Sequence, residues 1–280
     1  MEWRGRRQSQ NIEDRRGSRA ARGGGIGVVG LLVVLAVGYF FGVDVTPLLE
    51  DGAQVTTSEP ADLTPADQER AEFVAVTLAD TEEVWADVFR QQLNADYAPP
   101  VLVLFKGATA SACGGADMST GPFYCPVDRK VYLDTDFFVL MERKLGAGGD
   151  FAQAYVVAHE VGHHVQNLLG ILNETTRLRQ RMSQADSNAV SVMVELQADC
   201  LAGIWARKAS EKFGTIDRGD VEEAMNAARQ IGDDTLQRNA GRRPMPDSFT
   251  HGTSAQRADW LMRGMKTGQI DACDTFSGNF

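Results

Sequence analysis

The sequence predicts an α+β fold, mainly helical with a small β-sheet and preceded by a single transmembrane helix. Three observations carry that expectation. Residues 23–43 hold no charged side chain over 21 positions, and about 20 apolar residues suffice to cross a bilayer as a helix. Downstream, apolar side chains recur at three-and-four spacing through several long stretches, the pattern of helices with a buried face. Two short runs, Val101–Phe105 and Lys130–Asp134, carry the β-forming residues of strands.

Before the apolar run lie seven arginines against Glu2, Glu13 and Asp14. The positive-inside rule therefore makes residues 1–22 a cytoplasmic basic tail and sends the C-terminal part across the lipid bilayer, with residues 23–43 as the anchor. A cleaved signal peptide is the alternative; against it, no A-x-A site follows, and Tyr39, Phe40 and Phe41 suit a membrane interface at the far end of an uncleaved helix. Residues 44–64, rich in Thr, Pro, Asp and Glu, read as a linker. Thr64 caps a helix with Pro65 in its first turn that runs to the neighbourhood of Asn94. After the Val101–Phe105 strand, Pro126-Val-Asp128 forms a turn into the Lys130–Asp134 strand. Asp150 is the expected N-cap, and Gly170 the stop, of a largely buried helix over Phe151–Leu169. A second apolar helix covers Val190–Ala206, and Asp217–Ile231 and Ala255–Lys266 complete the helical set. Residues 65–280 are long enough to bury a sizeable core as one domain.

The net charge is −10; residues 1–25 contribute +4, seven arginines less three acids, which leaves −14 for the rest. So acidic a domain argues against nucleic acid as a partner, because binding phosphates requires a basic face. Cys113, Cys125, Cys200 and Cys273 form no C-x-x-C pair, which argues against a cysteine zinc site. An even count in an exported domain suits two disulfides; the short separation makes Cys113 to Cys125 the natural pair and leaves Cys200 with Cys273. In a cytoplasmic domain all four would be reduced thiols.

The chemistry concentrates at residues 159–164, His-Glu-Val-Gly-His-His, which hold three of the four histidines. His159 and His163, four apart, share one helix face with Glu160 beside them, the H-E-x-x-H zinc signature. Two imidazoles so spaced reach one Zn²⁺ at roughly 2.0–2.1 Å, and a catalytic zinc needs a third protein ligand and an open position for water. Zinc lowers the pKa of its water to about 7, so Glu160 is the candidate base. Without a metal, the buried helix would have to satisfy several polar rings by hydrogen bonds alone. His164 points about 100° around the helix from His163 and is read as a histidine behind the metal or on the surface.

The third ligand is sought in the Val190–Ala206 helix, which carries Glu195 and Asp199 four apart among Val194, Leu196, Ala198 and Leu201. Two carboxylates in apolar surroundings are costly unless paired or bound to metal, and the other reading is a surface stripe of acids. Gly162 and Gly203, each inside a helix, would let these two helices approach closely around a small ion.

H-E-x-x-H followed by E-x-x-x-D resembles the gluzincin metallopeptidases. More closely, Gly121-Pro-Phe-Tyr-Cys-Pro126, Lys130-Val-Tyr-Leu-Asp134, His159–Gln166, Glu195–Trp205 and His251-Gly-Thr-Ser-Ala-Gln-Arg257 together resemble the neutral zinc metallopeptidase family of bacterial membrane-anchored proteins. The resemblance covers residues 65–280 and implies a zincin-like, minimal gluzincin domain there, holding Zn²⁺ through His159, His163 and Glu195. Asp199 would orient the first histidine. His251 resembles the late histidine that such enzymes place beside zinc to stabilise an oxyanion, with Arg257 supporting it or contacting substrate. The other reading of His251 is a helix-start residue, with Ser254 capping the last helix. Related peptidases pair extended substrate with an edge strand beside the active helix; Lys130–Asp134 is the candidate here, with a purely structural strand as the alternative.

The expected activity is zinc metalloendopeptidase, hydrolysing a peptide or protein substrate with Glu160 activating the zinc-bound water, on the extracytoplasmic side of a single-pass membrane protein. A membrane-tethered binding or quality-control module with a non-catalytic zinc site is the alternative, and a zinc hydrolase acting on a non-peptide amide a third.

Overall fold

The computed structural model describes residues 1–17, 63–117 and 120–277. The expected transmembrane segment, 23–43, and nearly all of the linker, 44–64, lie outside the described residues. The chain divides into two units, one of Met1–Arg15 with Thr64–Phe280 and one of Arg16–Leu63.

The first unit is α+β. Its strands are β1 (Ile12–Asp14), β2 (Val101–Phe105), β3 (Ala108–Ser111), β4 (Gly114–Asp117), β5 (Phe123–Cys125) and β6 (Lys130–Asp134). Four of them form a mixed sheet in the order β1-β2-β6-β5, and β3 and β4 pair separately as an antiparallel hairpin. β1 and β6 run parallel to β2, with Ile12 and Val131 both opposite Leu102, while β5 runs antiparallel to β6. The predicted strand Lys130–Asp134 is therefore interior rather than an edge. The edge on that side is β5, three residues between two prolines, Pro122 and Pro126, too short for an alternation signal.

The helices are α1 (Pro65–Val88, closing in a π turn over Phe89–Leu93), α2 (Asp136–Leu145), α3 (Asp150–Leu168), α4 (Ile171–Arg179), α5 (Gln184–Phe213), α6 (Arg218–Gln230), α7 (Asp233–Asn239) and α8 (Ser254–Thr267). Thr64 caps α1 as expected, in a capping box with Asp67, whose carboxylate also takes hydrogen bonds from Arg70 and Lys106. Two caps differ from expectation. Gly149, not Asp150, is the N-cap of α3, and the first-turn amide of Phe151 is satisfied by Glu223 of α6 at 3.0 Å. A Cβ at Gly149 would lie 2.2 Å from that carboxylate, so glycine is needed for Glu223 to reach the helix end. The last helix is capped by Thr253 in a box with Gln256, not by Ser254.

The core gathers apolar faces from α1, β2, α3, α5 and α8. Gly162 of α3 does face α5: a Cβ there would stand 3.0 Å from the Ala198 carbonyl oxygen. Gly203 faces elsewhere. Its Cβ would lie 2.1 Å from the Leu261 oxygen of α8, and one at Gly264 would lie 1.8 Å from the Cys200 oxygen, so this pair sets the α5–α8 crossing. Among the described residues, α5 is long and apolar enough to cross a membrane by length and composition, but it is mostly buried as a core helix of this unit. Both expected disulfides are present, Cys113–Cys125 and Cys200–Cys273, and the second ties the C-terminal tail to α5.

The N-terminal arginines form no separate tail in Met1–Arg15. Trp3 is buried against Phe73 and donates its indole N–H to Asp150 at 3.0 Å, and β1 lies along β2.

Candidate active site

α3 presents Tyr155, His159 and His163 four apart on one face, opposite Glu195 and Asp199 of α5. The helices meet closely where Gly162 rests on Ala198. His159 Nε2 lies 3.1 Å from Glu195 Oε2, and His163 Nε2 lies 3.5 Å from Glu195 Oε1. One ligand atom from each of His159, His163 and Glu195 falls within 4.8 Å of the others, a grouping suited to a metal ion.

The other face of each ring is pinned. Asp199 Oδ1 sits 2.9 Å from His159 Nδ1, and the Gln166 side-chain oxygen sits 2.8 Å from His163 Nδ1. An acceptor at Nδ1 fixes the proton there and frees Nε2 as a ligand. Gln166 is in turn held, donating to the Val194 carbonyl at 2.7 Å and to Gln197 at 2.9 Å. Two nitrogen donors and a carboxylate are the donor chemistry of zinc, and the residues present fit such an ion.

Electrostatics agree. Burial opposes charge on His159, yet Asp199 and Glu195 raise its pKa to about 10. Burial likewise opposes Glu195 ionisation, but His163 and His159 hold its carboxyl well below the usual range. The site is a negative pocket that draws positive charge. Glu160, buried beside the two histidines, is pushed up by that burial while both histidines pull it down. Burial outweighs the histidines, and the net shift is upward.

Beneath the site lies a network that sequence reasoning found only in part. Asp199 is fully buried and accepts from Tyr155 Oη at 2.5 Å and from Arg257 through Nε and an Nη, each at 2.9 Å. Burial raises the Asp199 carboxyl and Arg257 and His159 lower it, to a net value of about 2. Arg257 also donates to Tyr155 Oη at 3.2 Å and to the Ile231 carbonyl at 3.3 Å. Expected to support His251 or to contact substrate, Arg257 is instead buried behind His159, its fork turned on Asp199. Tyr155 reads in sequence as an apolar helix position; its spacing of four before His159 was the available signal.

His251 stands on the loop before α8 with its side chain half exposed. Asp233 Oδ1 lies 3.2 Å from its Nδ1, while Asp233 Oδ2 accepts the backbone amides of Thr250, His251 and Gly252 at 2.7, 2.7 and 3.1 Å. One carboxylate thus sets the loop and leaves His251 Nε2 for another partner. The hydrogen bond it donates to Asp233 and the field of Glu195 raise its pKa against burial. Asp233 was missed; it is the first residue of the short α7, with no periodicity to mark it. Beside this loop an apolar pocket is lined by Val192, Leu196, Phe249, Gly252 and Trp260.

His164 is neither behind the metal nor on the surface. It is buried, its Nε2 donating to the Ala98 carbonyl at 2.7 Å and its Nδ1 accepting from Tyr124 Oη at 3.0 Å. Burial lowers its pKa and keeps it neutral, as this pattern requires. With Asn167, which donates to the same Tyr124 oxygen, it fastens the edge strand β5 to α3.

Helices carrying H-E-x-x-H and E-x-x-x-D face to face, with the nitrogens turned inward, define a zinc-peptidase type of site. The chain belongs to the family described as "putative neutral zinc metallopeptidase", which it matches over residues 1–276. It is 46% identical over 287 residues to the uncharacterized protein YpfJ of Escherichia coli strain K12, covering 99% of each chain. It is 42% identical over 214 residues to an uncharacterized protein of Mycobacterium tuberculosis strain H37Rv, covering 73% of this chain and 70% of that one. No solved structure matches it.

Proposed function

We propose that this chain is a membrane-anchored zinc endopeptidase of the gluzincin type, its domain working on the oxidising, extracytoplasmic side where two disulfides persist. One observation carries the catalytic reading: both His159 and His163 are pinned at Nδ1 and turn Nε2 toward a shared carboxylate, Glu195. These three residues would hold the ion. Zinc bound there supplies Lewis acidity, lowering the pKa of water to about 7 and polarising a carbonyl.

The chain's own groups do the rest. Glu160 takes the proton of the attacking water and delivers it to the departing amine; its raised pKa suits both halves of that transfer. His251 donates from Nε2 to the oxyanion while Asp233 holds its other nitrogen. Asp199, neutralised from behind by Arg257, keeps His159 in register. Among the described residues β5 is the edge of its sheet; it lies beside α3 and would offer backbone groups to an extended peptide. The apolar pocket next to His251 suits an apolar substrate side chain.

Glu160→Gln tests the reading. The variant should retain zinc at one ion per chain yet lose peptide hydrolysis by about 10²–10⁴-fold. Full hydrolysis by the variant would reject Glu160 as the base, and a zinc-loaded wild type inert against a broad peptide library would favour a binding module instead.

A further inference from the structure

The arginine-rich N-terminal stretch is docked on acids of α1. Arg6 makes a two-pronged ion pair with Asp80 of α1, both bonds 2.7 Å, and Asp80 is 4% exposed. Remove Arg6 and a carboxylate is left inside the protein without a partner, a costly arrangement. Arg7 bridges Glu82 and Glu83 on the next turn, and Ser9 N–H bonds to the Ala75 carbonyl at 2.9 Å. Trp3 fills a hole beside Phe73 and ties down Asp150 at the start of the H-E-x-x-H helix.

β1 is equally integral. The Leu102 amide donates to Asn11 and the Arg15 amide to Leu104, closing the row of β2. Without β1, the wholly apolar strand Val101-Leu-Val-Leu-Phe105 would be an open sheet edge, which natural folds avoid.

A strand and the sheet it completes cannot lie on opposite faces of a bilayer. Yet a single crossing by residues 23–43 would separate Met1–Arg15 from Thr64–Phe280 in that way. The positive-inside count behind that topology treats the arginines as a free cytoplasmic tail, whereas here Arg6 and Arg7 are bound by acids of the domain. We infer that residues 1–15 and the zinc domain reside on the same side of the membrane. The inference rests on the N-terminal packing alone and stands whether or not the site is a peptidase.

The experiment uses the full-length chain in its membrane. The native cysteines are all in disulfides, so the unsubstituted chain serves as the labelling blank, and a cysteine at Arg4→Cys or at Arg218→Cys adds one site for a membrane-impermeant maleimide that is read above that blank. Both positions are well exposed, Arg4 73% and Arg218 94%. Right-side-out vesicles are labelled before and after permeabilisation. Labelling of both variants before permeabilisation, or of both only after it, supports the inference; the second pattern would also move the domain to the cytoplasmic side. Labelling of one before and the other only after overturns it. Arg6→Glu gives an independent check, since like charge against Asp80 should lower the unfolding temperature by several degrees; no change would mean the segment is not docked.

Discussion

At the scale of single residues, the His159, His163 and Glu195 grouping depends on groups one layer further in. Asp199 carries the orientation of His159, and Arg257 makes a buried Asp199 tolerable. Arg257→Ala therefore removes the guanidinium from a buried carboxylate and leaves it only Tyr155 and His159, and breaking such an ion pair costs about 3–5 kcal/mol. Zinc affinity should fall alongside, by about 10–100-fold, as for other losses behind a metal ligand. Equilibrium unfolding and competition with a zinc chelator would measure the two. Wild-type affinity in a destabilised Arg257→Ala chain would show that Asp199 holds His159 unaided. In the sequence, Arg257 stood out only as a charged neighbour of His251, and its true partner lies 58 residues away.

At the scale of elements, the start of α1 was legible because capping is local, while the caps of α3 and α8 each fell one residue before the expected one. Thr64 with Asp67, and Asp217 with Asp220, are three residues apart and close capping boxes. Burial acts to raise Asp67, but bonds from Thr64, Lys106 and Arg70 outweigh it and hold the carboxyl well below its ordinary range. A depressed folded pKa contributes stability above the unfolded value of about 3.9 and loses it as pH falls through the lower folded value. Asp67→Asn should thus cost at least about 1 kcal/mol at pH 7, the worth of a cap. The deficit should shrink progressively as the pH drops below 4. Denaturant titrations at neutral and acid pH decide it: an equal deficit at both would mean that the charge plays no part. The start of α3 was misplaced by one residue because its donor is satisfied from α6, 72 positions on, rather than by its own neighbour.

At the scale of the whole molecule, helices, sheet and two disulfides make a large core, from which the fold is expected to form without the ion. Zinc binding only the native state adds RT ln(1 + [Zn]/Kd), about 2.7 kcal/mol at a hundredfold excess over Kd. For a domain of this size that is a rise in Tm on the order of 5–10 °C. Calorimetry with and without a chelator should show that shift, with near-native circular dichroism in both states. Collapse of the fold on chelation would mark a structural zinc site and argue against an open catalytic one.

The sequence by itself determined the α+β class, the H-E-x-x-H helix, its E-x-x-x-D partner and both disulfides, because each is written in spacings of a few residues or in the pairing of four cysteines. Only the tertiary structure decided what stands behind and around them. Arg257 under Asp199, Asp233 under His251, β5 rather than β6 at the edge, and β1 completing the sheet all join residues far apart in the chain. Periodicity reports which face of an element is buried but not which distant side chain meets it. The N-terminal arginines show the difference most clearly: read alone they are a free cationic tail, and in the fold Arg6 and Arg7 are counter-ions of the domain.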